Sequence, residues 1–347
     1  MPELRDTGGR FSGVPAAVAA ALLIASCASD VVSMEEDPGA YERAWEADVR
    51  YVGEWEKLHR PKFLESNPAV RRFEIPPSRN SFRGLTFEID GNISDWKHLE
   101  PLFSALRTGY GLYMETMDDP RGLRSMKSNA GLYLGFGDAP SEYADLTFLR
   151  KTRIVSIHFG DRATLKSLSG IEASELKAAY LPAGDITDYS PLQRTGLVSL
   201  ILENAAHLSD LKVIARMKKL EHLELRGSGV SDLSALSGND TIEYLTICNS
   251  PATDLTPISS MKKLKSIALA NVPVTTLEPL AANADLEYVL ILETPIKDLS
   301  ALTKLPRLKQ IRIRKGREKE MTIPEALKSR IRLLALPPAE AKPAADK

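Results

Sequence analysis

Two cysteines, Cys27 and Cys248, are all that 347 residues contain. Thiols so few and so distant in the chain build neither a disulfide framework nor a cysteine zinc cluster. Aromatic residues are also scarce, at 6% against 43% hydrophobic residues. A core drawn mainly from Leu, Ile, Val and Ala suits many small aliphatic units better than one large aromatic one. Neither sign of charge is in excess, 45 Lys and Arg against 46 Asp and Glu. No overall field therefore favours nucleic acid or an anionic substrate. The H-E-x-x-H, G-x-S-x-G and G-x-x-x-x-G-K patterns are missing too, and with them the common metalloprotease, hydrolase and phosphate-cradle signatures. The expectation is a protein that is not an enzyme, with no cofactor, no metal, no nucleic-acid partner and no small-molecule substrate.

What is present begins at the N-terminus. Residues 11–29 carry no charge, and Val14 to Ser26 is a compact apolar segment preceded by Arg5 and Arg10. It has the form of a secretory signal peptide and is short for a membrane span. Its end, Ile24-Ala25-Ser26-Cys27, resembles a bacterial lipobox. That resemblance implies lipidation of Cys27, cleavage after Ser26 and acylation of the new amino terminus, enough acyl chains for stable anchoring. Ala28 follows the cysteine, which by the Gram-negative sorting pattern leans towards the outer membrane. An uncleaved anchor helix is the alternative, and either version exports the body of the protein to the cell envelope.

The domain reading is a lipoprotein signal peptide over 1–26, a tether over 27–37 and an amphipathic helix over 38–60. Asp37 is a good N-cap and Pro38 suits the first helical position. Tyr41, Trp45, Val49, Val52, Trp55 and His59 make one stripe, expected to dock on the following domain. Residues 61–84 read as a linker, 317–336 as a C-terminal capping helix and 337–347, rich in Pro, Ala and Lys, as a disordered tail.

Between these lies a periodic body, 85–316. Segments of the form leucine-x-x-leucine-x-leucine begin at 176, 197, 220, 242, 264 and 286, with a partial copy at 308, so the steps are 21, 23, 22, 22, 22 and 22 residues. Ile154 opens a copy 22 residues before Leu176, and the register is regular from there. Earlier copies are degenerate: "DLTFL" at 145–149 matches "DLSAL", and "LTFEI", "GLYM" and "LYLGF" read as strands. The expected total is about nine repeats. In "LEHLELRGSGVSDLSAL", Leu223 and Leu225 alternate as a strand with one buried face. Gly227 to Gly229 turns the chain, and Val230, Leu233 and Leu236 point inward from a tight return where Asp232 bonds local amides. One such unit cannot bury its apolar face alone and must stack.

This pattern resembles the leucine-rich repeat family, in the 22-residue class of bacterial internalin-like proteins. The resemblance implies an α/β fold: a curved solenoid with a parallel β-sheet on its concave face and short 3-10 or extended returns on its convex face. An Asn usually stands at the ninth repeat position; Gly184, Ala205, Ser228, Ser250, Val272 and Thr294 stand there in this chain, so a less regular backbone is expected.

Strand geometry sorts the outward residues into columns. The third repeat position carries Ser199, His222, Tyr244, Ser266, Tyr288 and Gln310. The fifth carries Ile201, Glu224, Thr246, Ala268, Leu290 and Arg312, and the seventh Glu203, Arg226, Cys248, Ala270, Leu292 and Arg314. His158 and His222 fall three strands apart, about 14 Å, too far for one metal. Exposed leucines on an open sheet face call for a cover, and aromatic, aliphatic and Arg residues together make binding anchors. The partner-binding candidates are therefore His222, Arg226, Tyr244, Tyr288, Leu290, Leu292, Arg312 and Arg314. Self-cover by the C-terminal segment is the competing account. Six basic residues and no acid between Ser300 and Gly316 suit lipid head groups, an acidic protein or simple solvation. The functional expectation is a lipid-anchored protein that binds another protein through its concave face. A structural envelope scaffold, or an inhibitor or immunity lipoprotein for a toxic enzyme, are the alternatives.

Overall fold

The computed structural model describes residues 38–75, 85–91, 93–106, 110–114, 120–125, 131–137, 141–150, 152–160 and 162–335. The segments read as signal peptide, tether and tail, and with them Cys27, lie outside the described residues.

The chain enters through α1 (Pro38–Leu58) and α2 (Arg60–Ser66), then β1 (Arg72–Glu74), which pairs antiparallel with β2 (Leu85–Asp90). The stretch expected as a linker thus contributes a helix and an edge strand. After α3 (Glu100–Ala105) come β3 (Tyr110–Met114), β4 (Leu132–Phe136), β5 (Ser141–Tyr143), β6 (Ile154–His158), β7 (Ala163–Leu165) and β8 (Ala178–Pro182). The regular region follows: β9 (Ser199–Glu203), α4 (Lys212–Ala215), β10 (His222–Arg226), β11 (Tyr244–Cys248), β12 (Ser266–Ala270), β13 (Tyr288–Leu292), β14 (Gln310–Arg314) and β15 (Ile331–Leu334). All but β5 and β7 belong to one 13-stranded sheet, parallel from β2 onward; β5 and β7 pair separately.

Returns between strands are short 3-10 turns such as Ser234–Leu236, Thr256–Ser260 and Glu278–Ala282. This is a leucine-rich-repeat solenoid. Its period follows from burial: Leu220, Leu223, Leu225, Val230, Leu233 and Leu236 of one unit all lie in the continuous core. Several returns start at an acidic cap, and the one at Glu278 starts at the Thr276 hydroxyl, which accepts the Glu278 N–H at 3.2 Å. The Asp232 Oδ1 accepts the Ser234 N–H at 2.7 Å, and Asp188, Asp254 and Asp298 do the same two residues ahead. These amides would otherwise be orphaned at the start of the turn.

Eleven parallel strands run from β2 to β14 outside the small sheet, more than the nine repeats expected. The early turns hide their period because aromatics replace leucines there. Trp55, Phe63, Phe73, Phe87, Phe103 and Tyr110 form one run of ring contacts, with centroids 4.8–6.5 Å apart, and Phe136, Tyr143, Phe148 and Phe159 form another. The scarce aromatics are concentrated at one end of the solenoid. The ladder is also irregular here, with its register shifting between Leu132 and Tyr133.

The first turn needs a lid, and α1 supplies it. Trp55 is 1% exposed, and its Nε1 donates to the His98 carbonyl at 3.0 Å. Tyr51 Oη donates to the Pro101 carbonyl at 3.1 Å. The buried stripe is rotated from the expected one: Val52 and Trp55 are inside with Asp48, while Val49 is exposed.

At the far end the expected α-helix is replaced by a 3-10 turn, Glu325–Arg330, and strand β15. The physical reason is the edge of β14, whose unpaired backbone groups are satisfied by an added strand and not by a helix. Ile331-Arg-Leu-Leu, β-branched at its start, fits that role. Leu327 is fully buried beneath it, whereas Leu333 is left exposed.

Candidate functional site

The strand registers set the outward columns as alternation dictates. His222 pairs with Ser199 on one side and Tyr244 on the other; Glu224 lies between Ile201 and Thr246; Arg226 lies between Glu203 and Cys248. Further along, Ser266, Tyr288 and Gln310 continue the first column, and Ala268, Leu290, Arg312 and Arg332 the second. The face divides into three zones.

The first zone is a polar knot on β8 to β10. Arg226 Nε donates to Glu224 Oε1 at 2.6 Å, and its Nη1 donates to Glu203 Oε2 at 3.4 Å. Tyr180 Oη donates to the same Glu203 oxygen at 3.2 Å, and the guanidinium sits 5.8 Å from the Tyr180 ring. His158 stacks on Tyr180 with ring centroids 4.3 Å apart. Burial opposes the Arg226 charge, but Glu224 beside it and then Glu203 hold its pKa above the ordinary arginine range. Two carboxylates sharing one guanidinium leave the knot with surplus negative charge.

Ser199, His222 and Glu224 lie in line, which invites comparison with an acyl-transfer triad. Ser199 Oγ and His222 Nδ1 are 3.2 Å apart, but His222 Nε2 is 4.0 Å from Glu224 Oε2, beyond hydrogen-bonding reach. Glu224 is committed to Arg226. Burial, with help from the Arg226 charge, pushes the His222 pKa down to about 4, so the ring is neutral and a weak base. Ser199 is 2% exposed, and the neighbouring strand amides are spent in the ladder. This geometry offers no route for a substrate carbonyl. His222 acts as a packed, hydrogen-bonded member of the sheet face.

The second zone is apolar. Ala268, Ala270, Leu290 and Leu292 form a cluster separate from the main core, with Cys248 and Leu334 against it. Leu290 and Leu292, expected as exposed, are only 6% and 1% accessible. Leu334 explains part of this: it lies on β15 beside Arg314, two strands beyond Leu292, and packs against the same cluster. Burial pushes the Cys248 thiol up to about 12, with the Glu224 charge adding to it, which disfavours the reactive thiolate.

The third zone is aromatic and basic. Tyr244 is half-buried, and burial raises its pKa; Tyr288 is 41% exposed, with Lys309 Nζ 5.8 Å from its ring centroid. Arg312 Nε donates to Gln310 Oε1 at 2.7 Å, and Arg314 is ion-paired with Glu293. Of the eight candidates, the structure brings His222 and Arg226 together in the polar knot and Leu290 and Leu292 in the covered lane. Tyr288 and Arg312 remain accessible on the last strands. Among the described residues no group of three or more His, Cys, Asp and Glu is placed to hold a metal.

Sequence reasoning missed the asparagines that end the strands. The ninth repeat position holds Ser228, Ser250 and Thr294, all buried; Ser250 Oγ donates to the Val230 carbonyl at 2.6 Å, while Ser228 and Thr294 hydroxyls meet no partner among the described residues. One position earlier, Asn204, Asn249 and Asn271 adopt φ of 50–57°, with Gly227 and Glu293 in the same left-handed conformation. Asn tolerates that conformation better than other side chains with a Cβ. The signal was legible in part, as Asn204, Asn249 and Asn271 each follow a strand motif.

No family model matches the chain, and no curated protein matches it. Similar solved structures include an internalin C2 of Listeria monocytogenes, at 19% identity over 50% of this chain and 76% of that one, with a TM-score of 0.42. An internalin of the same organism aligns at 20% identity over 70% and 69%, also with a TM-score of 0.42. A leucine-rich repeat protein of Leptospira interrogans aligns at 15% identity over 62% and 68%, with a TM-score of 0.39.

Proposed function

We propose that this protein is an exported, lipid-anchored binding module that holds another protein against its concave sheet face. The observation that carries the binding half is the exposed Tyr288 ring, beside the accessible Arg312 and in one column with Tyr244. Amphipathic rings and a guanidinium on a rigid parallel sheet are the residue types that anchor protein interfaces. His222, Arg226 and Arg314 supply polar flanks, and Leu290 and Leu292 form a firm floor beneath them. No chemistry is assigned.

The membrane half rests on Ile24-Ala25-Ser26-Cys27. Cys27 would become the first residue of the mature chain and carry the lipid, with the cell envelope as its location and the outer membrane favoured in a Gram-negative cell. Among the described residues no helix is long and apolar enough to cross a membrane.

Crosslinking in intact cells tests the binding reading. The wild type should capture a defined protein that a Tyr244→Ala/Tyr288→Ala variant loses while keeping its melting temperature within a few degrees. Identical captures by both would move the reading to a structural envelope scaffold. Fractionation tests the anchor: Cys27→Ala should leave the membrane fraction, and its retention there would favour an uncleaved helix.

A further inference from the structure

The basic stretch from Ser300 to Gly316 resolves into two kinds of residue. Lys304, Arg307 and Lys309 reach Glu278, Asp285 and Glu287 of the preceding repeat at 3.2, 2.8 and 2.6 Å, and Arg314 is paired with Glu293. Four of the six charges are therefore neutralised by neighbours one turn back. Arg312 and Lys315 have no carboxylate partner among the described residues.

Arg312 has a second unusual neighbour. The β14–β15 register sets it directly opposite Arg332, so two guanidiniums stand on adjacent strands of the same face. Strands lie about 4.8 Å apart, and like charges placed so destabilise a sheet. No carboxylate relieves the pair among the described residues. Arg312 bonds Gln310, and Arg332 Nη1 folds back onto the Ser329 and Ile331 carbonyls at 3.0 and 2.9 Å. Each guanidinium carries five donors, so most of both forks are unspent. Beside them lie the exposed Tyr288 and the covered lane that ends at Leu290.

We propose that Arg312 and Arg332 together form a carboxylate-binding fork, and that the protein held on this face presents an Asp or Glu side chain to it. One anion between the two forks turns a repulsive pair into charge-assisted hydrogen bonds. The proposal rests on the protein-binding reading above and specifies the partner's chemistry. A protein segment is favoured over a lipid surface by the pairing pattern. Membrane attraction draws on several basic residues acting together, whereas here all but a local focus is cancelled by ion pairs. The aromatic ring beside the fork gives a polypeptide a second contact.

Selection from a random displayed-peptide library against the full chain tests it. Wild type should enrich peptides carrying Asp or Glu, and their binding should fall about tenfold or more in Arg312→Glu/Arg332→Glu. That charge-reversed protein should instead enrich Lys or Arg. The Tyr244→Ala/Tyr288→Ala variant separates the two readings. Peptides lost by that variant but indifferent to charge reversal would overturn the fork and keep the concave-face reading; peptides indifferent to both would overturn both. No acidic enrichment with wild type, combined with charge-dependent binding to phosphatidylglycerol vesicles, would make the occupant a lipid head group and overturn the proposal. No acidic enrichment without vesicle binding overturns it as well. Acidic peptides selected only after Glu340→Gln/Asp346→Asn would assign the fork to the chain's own tail, also against a separate partner.

Discussion

The side-chain amide of Asn271 donates to Oδ1 of Asn249 at 2.7 Å, linking two left-handed residues on successive turns of the solenoid. Neither residue bears on the core. Each nevertheless turns the chain where its strand ends, and the bond makes one turn template the next.

Removing the conformation should cost more than removing the bond. Asn271→Gly keeps the left-handed φ and loses the hydrogen bond, an expected loss of about 0.5–1 kcal/mol. Asn271→Val forces a β-branched residue into φ 50° and should cost roughly 2 kcal/mol or more. Urea denaturation of the two variants checks the order; equal losses would mean the bond, and not the backbone, dominates.

Acid should weaken the fold through His222. Its folded pKa of about 4 lies below the ordinary value of 6.5, because burial disfavours the charged ring. Between those values the unfolded chain binds the extra proton, so stability rises with pH across that window and is fully present above pH 6.5. The contribution reaches about 3 kcal/mol at most. A His222→Gln variant should lose stability less steeply from pH 6.5 to 4 than wild type. Superimposable pH profiles of unfolding free energy would remove His222 as the cause.

Trp55 is the anchor of the N-terminal lid. Trp55→Ala should cost about 3–5 kcal/mol through the cavity it leaves among Phe63 and Phe73. Trp55→Phe should lose mainly the bond to the His98 carbonyl, about 1 kcal/mol. Thermal unfolding should show the alanine variant melting its aromatic end first, since stacked repeats are coupled chiefly to their neighbours. A uniform small shift in both would mean α1 is dispensable.

Cys248 should resist modification. With burial holding its thiol near 12, iodoacetamide at pH 8 should label it far more slowly than an exposed cysteine. Labelling at the rate of a free thiol in the native protein would show that the apolar lane is open.

The shared face of the proposed partner-binding residues was readable in the sequence. Alternation puts His222, Tyr244 and Tyr288 on one face whatever the curvature, because successive side chains in a strand point to opposite sides. What alternation cannot see is height. Leu290 and Leu292 face outward, yet a strand two places along the sheet supplies Leu334 to the same cluster. Arg312 and Arg314, two residues apart and chemically alike, part company because only one has an acid, Glu293, at the end of the neighbouring strand.

The 22-residue register, the inward leucines and the Asp caps were determined by the sequence alone, since each is a short-range consequence of a repeating pattern that cannot bury itself unless it stacks. The aromatic first turns, the strand in place of a terminal helix, the neutralised basic stretch and the Arg312–Arg332 pair were decided only by tertiary structure. Each depends on which residues meet across adjacent turns or at an end of the stack, and spacing within one repeat carries no record of that.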